Sequence, residues 1–323
     1  MKILIIKTDR AGDFINISPI LRFFMENNDT IEVICSKYNY QVANKYNFIK
    51  KFYFYEKSII FFLLRNYRIL KMKYDIILQL DGKNWSYFLS LFISSNNKLA
   101  LNYKKTKKIL GFNYKITRPN FFLKFFFNFL VLSKESYDIS DNKEYHYLKL
   151  YLKLLELINI NVINKKHYWH QADLIKKNNN INSSSNYILF HFDKRWKKYI
   201  DKGHLECIKK MIVNASKIKL CIITSDKNNY LLSSLKNITC NNIKIVENTN
   251  IEDIVSLVKF SELVVSHHTG LIVHLAACFN KRILDIVPRE LFNELDRWIP
   301  LDAKYTRSDI EDVIHLNMEK FIF

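Results

Sequence analysis

The chain has 323 residues, 49% of them hydrophobic, and a formal net charge of +19. This length and hydrophobic content are enough for two domains with separate cores. No apolar run reaches the ~18–20 residues of a membrane-spanning helix. The longest run, at 121–132, contains Lys124 and predicts a buried or interfacial helix. The five cysteines form no CxxC pattern, which is typical of reduced core residues in a cytosolic protein and not of a disulfide frame or a metal site.

Apolar strand patterns alternate with helical patterns along the chain. In the first half the sequence predicts strands at 2–7, 31–36 and 74–80, and helices at 14–26 and 144–158. In the second half it predicts strands at 187–192, 220–225, 242–247, 263–267 and 282–287, and helices at 205–215 and 251–260. The low-complexity stretch between the halves, at 176–186, is typical of a linker.

This alternation predicts an α/β protein with two parallel sheets, each covered by helices on both faces. We expect domains at 1–170 and 187–307. The capping-box spacing of Ser308 and Glu311 predicts a final helix at 308–323. Ligands of such sheets bind beyond the carboxyl ends of the strands, so the polar residues that follow the strands are the candidate site.

The first such stretch is KTDRAGDF at 7–14, directly after the first strand. Its single glycine, Gly12, does not fit the three-glycine dinucleotide fingerprint. Asp13 follows at once, at the first turn of the predicted helix. Its carboxylate is either a helix cap or a reacting group held at the edge of the sheet.

Two stretches of the second half could bind a phosphorylated ligand. Lys194 lies in the cationic loop HFDKRWKK, which suits a diphosphate but is equally typical of a solvated loop. Thr224 and Asp226, in TSDKNN, could hold a ribose.

The stretch SHHTGLIVHLAA, at 266–277, is the most informative. Thr269 and Gly270 would begin a helix whose backbone N–H groups make an anion site. His274 lies about one turn further on, where it faces the same ligand or packs in the core. His267 and His268 are adjacent and have no third ligand at the usual spacing, which argues against zinc.

The positive charge is unevenly distributed, with a net +15 in residues 1–170 and +4 in residues 171–323. Segment 98–134 contains nine basic residues and no acid. Such a field attracts nucleic acid, anionic lipid or a phosphorylated glycan, unless it is only the solvated surface of a lysine-rich protein. The candidate residues for an anionic acceptor are Arg10, Lys104, Lys105, Lys107 and Lys108.

Four short motifs, in order along nearly the whole chain, resemble glycosyltransferase family 9, the lipopolysaccharide heptosyltransferases and their relatives. They are KILIIKTDRAGDFINISP with Gly12, Asp13 and Pro19, HFDKRW with Lys194 and Trp196, HHTGLIVHLAA, and DRWIP at 296–300. In two places the chain departs from the family pattern. His268 stands where the family usually has Asp, and the spacing from Gly270 to His274 is one residue longer.

The resemblance implies a GT-B fold, with two Rossmann-like domains facing across a cleft and the last helix returning to the first domain. It implies an inverting, metal-independent and cofactor-free transfer of a sugar from a nucleotide-diphosphate donor such as ADP-heptose. The acceptor would be an anionic glycolipid, such as a lipopolysaccharide or lipooligosaccharide core, at the cytoplasmic face of the inner membrane.

In this family the residue matching Asp13 is the proposed general base, and the residues matching Lys194, Thr269 and Gly270 bind the diphosphate. His268 can donate a hydrogen bond or carry charge toward the diphosphate. Two other classes stay open, a nucleotide-sugar-binding protein that has lost catalysis and a basic nucleic-acid-binding protein. The sequence contains no helix-turn-helix, zinc-finger or RNP pattern, so we expect no nucleic-acid partner.

Overall fold

The protein is described here by a computed structural model. It describes residues 1–55, 58–109, 112–118, 127, 129–132, 146–170, 186–192, 202–225, 234–235, 240–247, 249–316 and 318–322. The chain divides into two compact units, Met1–Lys165 with Asp296–Trp298, and Lys166–Leu295 with Ile299–Phe323. Each unit contains one sheet of mainly parallel strands with helices between them, so the predicted α/β class is confirmed.

The sheet of the first unit has seven strands, which are β1 Lys2–Ile6, β2 Thr30–Cys35, β3 Ile49–Phe54, β4 Lys73–Gln79, β5 Ser94–Ile109, β6 Phe112–Arg118 and β7 Phe129–Leu132. The strand order is β3-β2-β1-β4-β5-β6, with β7 also paired to β5. All pairs are parallel except β5 with β6. The central strands β1 and β4 are buried at residues 3–6 and 76–79, as expected of strands in a sheet that helices cover on both faces.

The described helices of the first unit are Ala11–Ile15, Ser18–Glu26, Lys37–Ala43, Ile59–Arg65, Asn84–Leu91 and Tyr147–Glu156, with a 3₁₀ turn at Tyr67–Lys71. The single helix predicted at 14–26 is therefore two helices. The second begins at Ser18 with Pro19 in its first turn, where the missing N–H of proline costs no helical hydrogen bond.

The sheet of the second unit has six strands, all parallel: β8 Tyr187–Phe192, β9 Cys221–Ser225, β10 Ile243–Val246, β11 Ser261–Ser266, β12 Arg282–Val287 and β13 Lys304–Asp309. Their order is β10-β9-β8-β11-β12-β13. The described helices are Lys202–Ile218, Ile251–Phe260, Gly270–Cys278, Phe292–Leu295 and Glu319–Ile322, with 3₁₀ turns at Arg289–Leu291 and Glu311–His315.

The C-terminal segment differs from the prediction of one helix that returns to the first domain. Ser308 lies in β13 and pairs with Ile286, so it caps no helix. Val313 and Met318 are buried in the core of the second unit. The late segment that joins the first unit is Asp296–Trp298, and the Trp298 ring stacks on Tyr147 with centroids 3.9 Å apart.

Two further sequence predictions concern apolar and low-complexity segments. Residues 129–132 of the predicted helix at 121–132 are the strand β7, because an apolar run of this length fits a sheet as well as a helix. Residues 121–126 and 128 lie outside the described part of the chain. The predicted linker at 176–186 also lies outside it, except for Asn186.

Candidate functional site

The first group of candidate residues lies where β1 and β4 end side by side. Ile6 of β1 pairs with Gln79 of β4 in parallel register, so residues 7–9 and 80–83 leave the same edge of the sheet. This is the carboxyl edge, where open α/β sheets bind their ligands. We call residues 7–9 and 80–83 the first-unit edge.

Lys7 is the buried cation of the first-unit edge, with only 1% of its surface exposed. Its Nζ donates to the Asp9 carboxylate at 2.9 Å, to the Leu80 carbonyl at 2.9 Å and to the Tyr151 hydroxyl at 3.2 Å. A buried ammonium needs such partners because removing it from water costs several kcal/mol. The contacts therefore fix one positive charge at this edge of the sheet.

Asp81 is an acid of the same edge whose pKa is raised. The Thr8 hydroxyl donates to its Oδ2 at 2.6 Å, and the Ser86 hydroxyl donates to its Oδ1. Burial raises the pKa of Asp81 to about 6, and the neighbouring Asp9 adds to the rise, while Ser86, Thr8 and Lys83 act against it. Such a group exchanges its proton close to neutral pH.

Asp13 occupies the third position of the helix Ala11–Ile15, beside the first-unit edge. Its carboxylate accepts a hydrogen bond from the backbone N–H of Arg10 at 3.3 Å, so it contributes to capping the helix. Burial raises the pKa of Asp13; the Lys7 cation acts against this rise and the Asp9 carboxylate adds to it. A raised pKa makes the ionised carboxylate a stronger base toward a hydroxyl proton.

The candidate acceptor residues lie at two places in the first unit. Arg10 is exposed and directly precedes the helix that carries Asp13. Lys104, Lys105, Lys107 and Lys108 lie in β5 where it pairs with β6 as an antiparallel hairpin. Their part in acceptor binding stays a prediction.

In the second unit, one row of polar residues crosses neighbouring strands near their carboxyl ends. The register pairs Thr224 with His191, and pairs Asp285 with both Ser266 and Arg307. Ser266 also directly follows Val265, the residue of β11 paired with Phe190 of β8. Except for Arg307, the residues of this row are buried. The row includes the predicted ribose residue Thr224, and its residue Ser266 directly precedes the turn that follows β11.

His268 and Asp285 form a buried pair in this turn. Nδ1 of His268 lies 2.6 Å from Oδ2 of Asp285, and the backbone N–H of His268 donates to the other carboxylate oxygen. The Tyr305 hydroxyl also donates to Oδ2, at 2.6 Å. Burial alone would raise the pKa of Asp285, but the charge and hydrogen bonds of His268 and the Tyr305 hydroxyl outweigh it, so this pKa lies below its usual range.

The same turn brings three predicted donor residues together. His268 has φ of 44°, a left-handed conformation that is unfavourable for a residue with a Cβ. Thr269 follows as the N-cap of the helix Gly270–Cys278, and its N–H donates to Ser266 Oγ at 3.1 Å. His268, Thr269 and Gly270 thus lie at the start of a nine-residue helix, where backbone N–H groups favour anions.

The remaining predicted donor residues are only partly described. His274 is buried, and its ring stacks on His167 with centroids 5.0 Å apart and Nδ1 3.1 Å from Nε2. Its contact with a donor stays a prediction. Lys194 and Asp226 lie outside the described residues.

Two findings concern metal and membrane. Among the described residues, no group of three or more His, Cys, Asp and Glu side chains could hold a metal ion. In the same part of the chain, no helix combines the length and the apolar character needed to cross a membrane.

The sequence matches no protein-family model and no curated protein, but solved structures match its fold. E. coli heptosyltransferase WaaC with ADP has a TM-score of 0.70 over 99% of this chain and 97% of that chain, at 12% identity. A glycosyl transferase family 9 protein from Veillonella parvula has a TM-score of 0.71 over 96% and 86%, at 13% identity. E. coli ADP-heptose lps heptosyltransferase II has a TM-score of 0.67 over 100% and 96%, at 14% identity.

The chain has the heptosyltransferase fold. The resemblance to glycosyltransferase family 9 is thus confirmed for the fold, which is GT-B. Sequence reasoning missed the partners that this fold assembles around its two sheet edges, among them Lys7, Asp9, Asp81, Asp285 and Tyr305. One signal could have found Asp9 and Asp81, because β1 and β4 are each followed within three residues by an acid.

Proposed function

We propose that this protein is a glycosyltransferase that moves a sugar, heptose or a similar one, from a nucleotide-diphosphate donor to a cell-surface glycan, with inversion. The observation that carries the proposal is Asp13. It is a carboxylate of raised pKa, at the carboxyl edge of the first sheet, in a chain with the heptosyltransferase fold over nearly its whole length. A general base of this kind is what an acceptor hydroxyl requires.

The proposed donor site is the turn His268–Gly270 together with Thr224, Asp226, His274 and Lys194. The departing diphosphate accumulates negative charge, which hydrogen-bond donors aimed at it stabilise. Helix N–H groups after Thr269 and an imidazole held by Asp285 can supply such donors from the protein itself. The printed names of the similar structures include ADP and ADP-heptose, which makes an adenosine diphosphate sugar the first donor to test.

The proposed reaction is a single displacement. The acceptor hydroxyl oxygen bonds to the anomeric carbon, the bond from that carbon to the diphosphate oxygen breaks, and Asp13 takes the hydroxyl proton. The products are the inverted glycoside and the nucleoside diphosphate. An anionic glycolipid, such as a lipopolysaccharide or lipooligosaccharide core, is the proposed acceptor because the first half of the chain carries most of the net positive charge. The reaction would take place at the cytoplasmic face of the inner membrane.

The test compares Asp13→Asn with Asp253→Asn. Both carboxylates occupy the third position of a helix and accept a backbone N–H, from Arg10 at 3.3 Å and from Asn250 at 3.1 Å, so the loss of a cap is matched. We expect Asp13→Asn to lower turnover of ADP-heptose on a core acceptor by about 10²–10⁴-fold, with ADP binding by calorimetry unchanged. Asp253→Asn should keep its turnover.

The outcomes separate the proposed function from its alternatives. Near wild-type turnover in Asp13→Asn removes Asp13 from the mechanism. If the wild-type protein binds nucleoside diphosphates but turns over no ADP-, UDP- or GDP-sugar, it is a nucleotide-sugar-binding protein that has lost catalysis. Stabilisation by duplex DNA or RNA, with none by any nucleotide sugar in a thermal-shift screen, indicates the nucleic-acid-binding class.

A further inference from the structure

An apolar face lies exposed on the helix Ile59–Arg65 and the 3₁₀ turn Tyr67–Lys71 of the first unit. Large side chains on it are accessible to solvent: Ile60 by 70%, Phe61 by 74%, Leu64 by 69%, Tyr67 by 50% and Leu70 by 38%. Single exposed apolar residues are common on protein surfaces, but five within eleven residues form a patch of the kind that marks an interaction site. We call these five residues the apolar face.

The opposite side of the same segment holds it on the protein. Phe62 and Ile69 are buried in the core of the first unit, under the sheet strands β1 and β4. The Ser58 hydroxyl accepts the Phe61 N–H at 3.4 Å, and the Asn66 side chain donates to the Phe62 carbonyl at 2.9 Å. The segment is therefore capped and anchored, and the apolar face is presented on a supported helix.

Cations alternate with the residues of the apolar face along the chain, and the segment contains no acid. Arg65, Arg68, Lys71 and Lys73 are exposed, and residues 58–73 contain no Asp or Glu. Lys71 Nζ lies 5.6 Å from the centroid of the Tyr67 ring. Apolar side chains bordered by Lys and Arg are the composition of segments that lie in the plane of a membrane interface.

We propose that the apolar face docks on an anionic lipid bilayer. Its Phe, Ile and Leu side chains would enter the boundary between headgroups and acyl chains, and the four cations would lie against the anionic headgroups. A second copy of this chain fits the surface less well, because a two-fold interface brings the same patch together with itself and would set its cations against one another. The charge complementarity favours lipid.

This inference deepens the proposed function, because a glycosyltransferase docked on a membrane can reach a glycolipid held there. It assigns the membrane contact to residues 58–73, a different segment from the lysines of β5. The contact is a property of the surface and needs no transfer reaction. The test of membrane docking can therefore fail while the proposed function holds. Equally, the protein can dock on membranes and still catalyse no transfer.

The test measures partition of the full chain onto sedimenting vesicles. We expect binding to vesicles of phosphatidylglycerol and phosphatidylethanolamine, and little binding to pure phosphatidylcholine. Removing charge in Arg65→Gln/Arg68→Gln/Lys71→Gln should lower the partition coefficient roughly 100-fold, at about 1 kcal/mol for each cation. Phe61→Ser/Leu64→Ser should lower it by at least about tenfold, because each side chain loses apolar burial.

A matched control uses apolar residues of the first unit that are equally exposed but lie elsewhere. Tyr38 and Ile163 are exposed by 78% and 88%, so Tyr38→Ser/Ile163→Ser should keep wild-type partition. Thermal unfolding and ADP binding of every variant should match the wild type, since the exchanged side chains are exposed. Wild-type protein that ignores anionic vesicles, or Phe61→Ser/Leu64→Ser that partitions as the control does, overturns the proposal. The proposal is also overturned, in favour of a second copy of the chain, if the wild type is a dimer in gel filtration and Phe61→Ser/Leu64→Ser is a monomer.

Discussion

Asp285 is fully buried, yet its surroundings favour the charged carboxylate over the neutral acid. His268 contributes a ring nitrogen and a backbone N–H, and Tyr305 contributes a hydroxyl. A buried charge is tolerated only when its partners replace water. Because these partners bond the same carboxylate, Asp285 also fixes the position of His268 at the start of the helix that we assign to the donor.

We predict strong coupling between His268 and Asp285 in a double-mutant cycle. Asp285→Asn should lower the free energy of unfolding at pH 7 by about 3–5 kcal/mol, because a partner of a buried pair is lost. In a protein that already carries His268→Gln, the loss of unfolding free energy caused by Asp285→Asn should be smaller by about 1–3 kcal/mol. Denaturant unfolding of the four proteins checks this.

The control for this cycle is the ion pair of Arg289 with Asp309. Its atoms are 2.9 Å apart, but the Arg289 side chain is 75% exposed. Exposed pairs contribute only about 0.2–1 kcal/mol, so Arg289→Gln with Asp309→Asn should show weak coupling. Equal coupling in the two cycles would mean that the pair with Asp285 is no more than an ordinary contact.

The buried carboxyl group of Asp81 should make the stability of the protein depend on pH. Its pKa in the folded protein is about 6, above the ordinary value of 3.8, so folding favours the protonated carboxyl. This contribution is complete below the unfolded value and is lost as the pH rises through 6. Relative to Asp81→Asn, which cannot titrate, wild-type protein should lose about 1–3 kcal/mol of unfolding free energy between pH 4 and pH 7. Parallel curves for the two proteins would contradict this.

At the scale of elements, apolar runs made most strands predictable. The strands predicted at 2–7, 31–36 and 74–80 are β1, β2 and β4 of the first sheet, and every strand predicted in the second half is present. The strands β3, β5, β6 and β13 were not predicted, and the reason is physical. β3, β13 and the hairpin of β5 with β6 lie at sheet edges, where polar side chains are accommodated and no continuous apolar run is needed.

The candidate site was predictable only in part. Asp13, Thr224, His268, Thr269 and Gly270 follow or end apolar strands, so their position along the chain was enough to single them out. Their partners lie on strands that neighbour them only after the sheet order is known. Asp285 meets His268 because β12 lies beside β11, and Asp81 meets Thr8 because β4 lies beside β1.

At the scale of the whole molecule, charge is the property that separates the two halves. Residues 1–170 carry +15 of the total +19. A field of one sign raises the local concentration of an anionic partner and weakens as salt increases, with a screening length of about 8–10 Å at 0.1–0.15 M. The hairpin of β5 and β6 concentrates part of this charge, since four lysines lie within five residues of one strand.

We therefore predict that an anionic acceptor binds more weakly as salt increases, and that these lysines carry much of the effect. The variant has Lys104, Lys105, Lys107 and Lys108 changed to Gln, and the acceptor is a soluble phosphorylated core oligosaccharide, so that membrane docking cannot contribute. Acceptor KM should rise steeply with salt in the wild type and much less in the variant, while donor KM changes little in both. Exchanging Arg65, Arg68 and Lys71 for Gln provides the matched control, because it removes three charges from the same unit but away from the hairpin, and should keep the wild-type salt slope. If acceptor KM rises equally steeply with salt in the wild type and in the hairpin variant, the four lysines are not an acceptor site. Salt can weaken a contact of these lysines only in the protein that has them, so a real contact requires a steeper rise in the wild type.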